Sequence, residues 1–238
     1  MLGKDEIKTK LCEDEKHFSH VEYFLGLDDT EIIYAEEDGL LLKNSYIYTI
    51  YGANADSAER ILRLIPPETD LMTASNEDEV RAAKKVFPRL KCARPCYQVR
   101  YDDLPPAAVP EGFEIRVLAP TKENIDFVYS TYTLAYSREG VERVMKEYDF
   151  LAAYHGEEIA GYIGRHEEGS LGLLEIMPKY RKRGLGTLLV TEMAERVKKS
   201  GQTAYAHIIC DNQKSLNMHL KMGVTPAKGL IYWIYEED

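Results

Sequence analysis

Residues 171–187 read LGLLEIMPKYRKRGLGT, and the order of residue types in them decides the fold. An apolar run, Leu173 to Met177, ends at Pro178. A basic turn follows, carrying Arg181, Lys182, Arg183, Gly184 and Gly186. Beyond it Leu185, Leu189, Met193 and Val197 recur every four residues, the stripe of an amphipathic helix. The turn therefore joins a strand to a helix amino-terminus, with glycines where backbone must approach a ligand closely. Free N–H groups at that terminus, together with the helix dipole, make a receptor for a pyrophosphate-like anion. Cations at a helix amino-terminus oppose the dipole unless an anion lies between them, so the basic turn points to a phosphate-bearing ligand.

Spacing separates the known anion loops. A Walker loop needs G-x-x-x-x-G-K-[ST], which is absent. A Rossmann fingerprint needs G-x-G-x-x-G, and after Gly184 and Gly186 the third position is Leu189. R-x-x-G-x-G fits, on Arg181, Gly184 and Gly186, preceded by an apolar strand and P-x-Y-R. This resembles the coenzyme A loop of the GNAT (Gcn-related) N-acyltransferase superfamily. Downstream, Asn212, Ser215, Met222 and Gly223 stand as in that superfamily's N-x-x-S-x-x-x-x-x-x-h-G segment. The run GRHEEGSLGLLEIMPKYR and the ending YWIY look like its glycine-N-acyltransferase-like branch. The resemblance covers roughly the second half of the chain.

The rest of the composition is compatible with a folded enzyme. At 238 residues the chain suffices for one large domain or two ordinary ones. Its 45% apolar and 29% charged content predicts a packed core. No apolar run approaches the ~20 residues of a membrane helix, and MLGKDEIKTKLCEDEK lacks the apolar segment of a secretory signal. The four cysteines, Cys12, Cys92, Cys96 and Cys210, are scattered without zinc-ligand spacing, so reduced thiols in a cytoplasm and no metal are expected. Residues 1–111 hold 22 acidic and 14 basic side chains, residues 112–238 hold 18 and 16. An acidic chain is a poor general binder of nucleic acid, so the RKR run reads as a phosphate clamp rather than a DNA patch. The acidic first half suits either a solvated surface or the attraction of cationic amines.

Asp102–Gly112, DDLPPAAVPEG, is the linker candidate, with three prolines and no periodicity. It predicts an amino-terminal α/β domain over 1–103 and a second domain over 112–238. The second half reads as strand, two helices, three strands, helix, strand, helix, strand, the order of the GNAT fold that the loop implies. Its elements are expected at 113–118, a helix after Thr121, 138–147, 150–154, 159–165, 171–177, the helix after the turn, 203–209, 212–221 and 230–235. In the first half a helix is predicted over 5–24 and strands over 31–35 and 40–51. Helices are predicted over 56–65 and 77–86, and strands over 71–74 and 96–101. This order suggests a degenerate GNAT-like half-domain, giving a mixed-sheet α/β fold overall. Its loop position reads Tyr51-Gly52-Ala53-Asn54-Ala55-Asp56, without arginine and with one glycine, so this half should not bind coenzyme A.

Candidate site residues follow. Arg181 and Arg183 offer fixed phosphate donors, Lys182 a point charge, and the backbone N–H groups from Lys182 through Gly184, Leu185 and Gly186 to Thr187 the main cradle. Strict alternation puts Leu171, Leu173, Glu175 and Met177 on one strand face. A carboxylate in an apolar strand faces either a cleft, as a general base, or a structural cation. His166, Glu168 and Ser170 bracket the preceding turn, a polar hairpin tip unless functional. In the glycine-N-acyltransferase-like branch an acidic residue near Glu168 is a candidate base. Asn212 and Ser215 are placed to cap the following helix or to contact the pantetheine arm. Many superfamily members carry a tyrosine where this chain has His219, as the acid for the leaving thiolate. His219 either takes that part or faces solvent, the second being favoured. Tyr205, Tyr232, Trp233 and Tyr235 read as sheet core.

The resemblance implies an acyl-CoA-dependent N-acyltransferase using acetyl-CoA or another acyl-CoA. A small-molecule amine or amino acid would attack the thioester directly in a ternary complex. Backbone N–H near Ile176 and Met177 would polarise the carbonyl, and Glu175 or Glu168 would take the proton. The absent tyrosine leaves open a non-catalytic acyl-CoA-binding regulatory module. Neither nucleic acid nor membrane is an expected partner, and a homodimer is admitted.

Overall fold

Residues 102–112, with three prolines, form no helix and no strand, and they follow the first crossing of the chain, between Arg100 and Tyr101, from one compact unit to another. The computed structural model describes residues 2–11, 14–132 and 137–236; Cys12 lies outside them. The first unit takes Met1–Arg100, His207–Gln213 and Thr225–Asp238, and the second Tyr101–Ala206 and Lys214–Val224.

In chain order the first part holds α1 (Lys4–Leu11), α2 (Ser19–Leu25), β1 (Glu31–Glu36), β2 (Gly39–Asn44), β3 (Ile47–Gly52), α3 (Ala55–Leu62), β4 (Leu71–Ala74), α4 (Glu77–Val86) and β5 (Cys92–Arg100). The middle holds β6 (Phe113–Val117), α5 (Lys122–Thr131), α6 (Arg138–Glu147), β7 (Leu151–His155), β8 (Glu158–Arg165) and β9 (Leu171–Ile176). A 3-10 turn at Pro178–Tyr180 leads to α7 (Leu185–Lys199), β10 (Tyr205–Ile209), α8 (Gln213–Lys221) and β11 (Leu230–Tyr235).

Two expectations fail in the first unit for local reasons. The helix expected over 5–24 is interrupted. The Asp14 carboxylate accepts from the His17 N–H at 3.2 Å, and the Ser19 hydroxyl donates to the Glu15 carbonyl at 2.9 Å. Such side-chain bonds compete with the helix ladder. The strand expected over 40–51 is a hairpin, with Asn44 opposite Ile47 and Ser45 turning at φ +53°. Asn54 and Asn76 cap α3 and α4 through the Ser57 and Glu79 N–H groups, each cap contributing about 1 kcal/mol.

The first sheet runs β1-β2-β3-β4-β11-β5-β10. β11, expected with the second half, lies antiparallel between β4 and β5, so the end of the chain completes the first unit's sheet. Ile50, Ile61, Leu62, Met72, Phe87, Leu90 and Ile234 form its core under α3 and α4.

In the second unit β6-β7-β8-β9 form an antiparallel sheet. Thr121 and Ser137 cap α5 and α6, whose Ile125, Val128, Val141, Val144 and Met145 pack with Phe150, Ala152, Tyr162 and Leu173. Burying each such aliphatic side chain stabilises by about 1.5–3 kcal/mol, and Leu173 brings β9, the edge strand of this sheet, into that core. The stripe Leu185, Leu189, Met193 and Val197 is buried, as the periodicity requires.

Candidate active site

β9 departs from strict alternation. Glu175 stands opposite Tyr162 and Gly172 opposite Gly164, so β9 has one residue more than β8 in this interval. The extra residue is a bulge, with Leu173 at φ +45°, a conformation costly for a side chain that long. The consequence corrects the expected face. Glu175 shares a side with its partner Tyr162, whereas Leu171 shares the other with Arg165. The bulge thus re-aims Glu175.

Beyond it, the Met177 N–H donates to the Ala160 carbonyl at 2.9 Å, and the Met177 carbonyl accepts from Tyr180 at 2.8 Å. The Met177 N–H is therefore spent within the sheet. In an antiparallel ladder the neighbouring residue points its N–H the other way, so Ile176 turns its N–H to the open side of β9. Its carbonyl accepts from Arg181 Nε at 3.0 Å.

The turn that follows is open. Among the described residues no protein acceptor takes the N–H groups of Lys182, Arg183, Gly184, Leu185, Gly186 or Thr187. Gly184 is the N-cap of α7 at φ +81°, without a side-chain cap, and Lys182 is also left-handed at φ +63°. Gly186 carries no such strain, and a Cβ there would meet Met218 Sδ, on a flexible side chain, at 3.0 Å. Lys182 and Arg183 are exposed. Arg181 is tied back to the strand, its Nη2 3.0 Å from Glu175 Oε1.

Glu168, in the HEEG turn that reads as either a polar hairpin tip or a functional acid, is buried. Its carboxylate accepts from the Ser170 hydroxyl, also buried, and its carbonyl accepts from Tyr205 at 2.6 Å. Arg165 braces this turn from within. Its guanidinium lies 4.6 Å from the Tyr148 ring, and it donates to the Gly169 carbonyl at 2.9 Å and to Gln202 at 3.0 Å. Neighbouring Glu167 pairs with Arg143, and burial first, then the Glu168 charge, raises its carboxyl.

Sequence reading missed Tyr132 and Tyr162. The Tyr162 hydroxyl bonds Thr131 Oγ1 at 2.9 Å, and burial pushes its phenol up to about 12. Tyr132 is raised by burial and by the fields of Tyr162, Glu168 and Glu175, while a bond from the Leu173 backbone opposes this. Its phenol thus adjoins the bulge and feels both candidate bases. No motif marks it in TYTLAY; only the tertiary fold brings it there.

Downstream, Asn212 is exposed and directly precedes α8, its N–H donating to Ile209 at 2.8 Å. Ser215 lies in the first turn of α8, three residues before the Met218 that meets Gly186, so its face adjoins the turn. His219 does not face solvent, contrary to the expectation from sequence; it is 4% exposed. Its Nδ1 donates to the Ser215 carbonyl at 2.8 Å, which leaves Nε2 to accept from the Tyr101 hydroxyl at 2.6 Å. Burial lowers the imidazole's proton affinity. Both ring nitrogens are engaged in a neutral, internal pair.

Comparison with known proteins agrees with this frame. Residues 151–234 match the family model of FR47-like protein. A Drosophila protein of known structure is similar over 98% of this chain and 87% of its own, at 15% identity and a TM-score of 0.67. A GCN5-related N-acetyltransferase from Kribbella flavida matches 93% of this chain and 94% of its own, at 11% identity and a TM-score of 0.59. A GCN5-related N-acetyltransferase-like protein from Streptococcus suis matches 98% and 100%, at 12% identity and a TM-score of 0.54. A search of the curated proteins finds no match. The chain thus has the mixed α/β fold of the GNAT structures, as its loop motif implied.

Proposed function

We propose that this chain is an N-acyltransferase that moves an acyl group, acetyl in the first instance, from coenzyme A to a primary amine by direct attack. The observation that carries the reading is the unspent row of N–H groups from Lys182 to Thr187, at the amino-terminus of a fifteen-residue helix. Such a row has the spacing and field for a pyrophosphate. Lys182 and Arg183 would add charge, and the Ser215 face of α8 would flank the pantetheine arm. Asn212 belongs to the same motif by sequence.

The thioester oxygen would meet the Ile176 N–H, a fixed donor where charge develops in the transition state. Glu175 or Glu168 would take the ammonium proton, directly or through water, near the Tyr132 phenol that feels the charge of both. Holding amine and thioester in line supplies much of the rate. The thiolate needs no strong acid, since a thiol with pKa about 8.5 leaves without full protonation. The acceptor we propose is a small amine or amino acid, in keeping with the glycine-N-acyltransferase-like run at 164–181.

A second reading, a non-catalytic acyl-CoA-binding module, is favoured by one observation: His219 is spent on Tyr101 and Ser215. Incubating the purified chain with acetyl-CoA and longer acyl-CoAs and a panel of amines and amino acids, with release of free thiol followed, separates the two. Acceptor-dependent release supports the transferase. Binding without release across the panel supports the module.

A further inference from the structure

The chain has a second strand-turn-helix, in the first unit, where β3 ends at Gly52 and α3 begins at Ala55. The N–H groups of Gly52, Ala53, Asn54 and Ser57 in it are spent, unlike those at 182–187. Gly52 donates to Glu79 Oε1 at 2.9 Å, Ala53 to the Asp38 carbonyl at 3.0 Å and Asn54 to Ser57 Oγ at 3.1 Å, while Ser57 donates to Asn54 Oδ1 at 2.9 Å. A Cβ on Gly52 would lie 2.8 Å from Ala58, so α3 is pressed onto the strand end.

Glu79 is the unusual member. Its side chain comes from α4 and is 0% exposed. Besides Gly52 at the end of β3, it accepts from the Ser75 N–H just past the end of β4 at 2.5 Å and from Asn76 Nδ2 at 2.7 Å. A capping glutamate needs only the residues of its own helix start. Reaching Gly52 makes this one a bridge between two parallel strands. Both oxygens face N–H donors, the surroundings of an anion.

We infer that Glu79 is a built-in anion: its carboxylate takes, in the first unit, the place that a phosphate takes at an open strand-turn-helix, and it ties the end of β3 to the end of β4. The first unit is thereby closed to coenzyme A by an internal occupant, and not only by the lack of an arginine. The ligand class that would replace the side chain is a small carboxylate.

The test is thermal melting of the full chain at mildly alkaline pH, as wild type and Glu79→Ala, in sodium formate against sodium chloride of equal ionic strength. The expected result is a lower melting temperature for Glu79→Ala in chloride, recovered in part by formate, with no such difference in the wild type. Equal melting of the variant in both salts, or equal gain by the wild type, overturns the inference. If Glu79→Ala does not fold in either salt, the wild type decides through amide proton shifts. Gly52 and Ser75 should then move together with one midpoint as pH rises through neutrality, and Glu79→Gln should abolish this. Independent or absent movement overturns it. The other acids on these helix starts, Asp56, Glu77 and Asp78, are not among the largest influences on the Glu79 carboxyl. None of these results depends on transferase activity.

Discussion

Arg181 and Glu175 form an ion pair, Nη2 to Oε1 at 3.0 Å, that ties the first basic residue of the open turn to the carboxylate re-aimed by the bulge. The pair links the anion-binding end of the site to its chemical end. Glu175 is mostly covered, with 17% of its side chain exposed, while Arg181 keeps 45%. Removing either side therefore has two separable effects.

Arg181→Ala should weaken acetyl-CoA binding by about tenfold or more, the worth of a charge-assisted hydrogen bond to phosphate. Calorimetric titration measures it. Unchanged affinity would mean that the arginine only braces Glu175.

Replacing the two carboxylates one at a time should identify the base. Either Glu175→Gln or Glu168→Gln should lower turnover about a hundredfold, with acetyl-CoA affinity nearly unchanged. Steady-state thiol release beside calorimetry reads both quantities. Full activity in both variants would remove these carboxylates from the chemistry.

The two glycines of the turn should respond differently. Gly184→Ala meets no neighbour but is held at φ +81°, and should cost about 1 kcal/mol of stability. Gly186→Ala meets the end of a flexible methionine at 3.0 Å, so its fold should suffer less while coenzyme A affinity falls. Urea denaturation and calorimetry separate the outcomes.

Stability should be lost toward both acid and alkali. His17, His20 and His219 are lowered first by burial, so the unfolded chain takes up protons that the folded one refuses. Their contribution is present above the ordinary histidine pKa of about 6.5 and is lost as pH falls below it. Glu79 acts oppositely. Burial raises its carboxyl to about 7 against the donors that hold it down. The part linked to its proton is full below the ordinary glutamate range and is lost as pH rises through about 7, while the hydrogen bonds its carboxylate accepts from Gly52, Ser75 and Asn76 remain. Melting across this range should show a maximum, and Glu79→Gln should flatten the alkaline side alone.

The turn at 177–187 was legible because its information is local: an apolar strand, glycines in one spacing and a four-residue stripe lie within one short stretch. The boundaries of α4, α6, β4 and β11 were legible for similar reasons of capping and pattern. What failed depended on contacts distant in sequence. The bulge at Leu173 is one extra residue judged against β8, invisible in β9 alone. The burial of His219 depends on Tyr101, 118 residues away. The place of β11 depends on β4 and β5, and the occupant of the Gly52 turn on a glutamate 27 residues later.

Calorimetric titration of acetyl-CoA into the wild-type chain tests the central claim most directly. One equivalent should bind per chain, since the turn at 182–187 is open and the turn at Gly52 is filled by Glu79. Binding should be lost or sharply weakened in a variant whose turn carries Lys182→Ala, Arg183→Ala and Gly186→Ala. Absence of binding to the wild type, or undiminished binding to that variant, would contradict the assignment of the turn as the coenzyme A site.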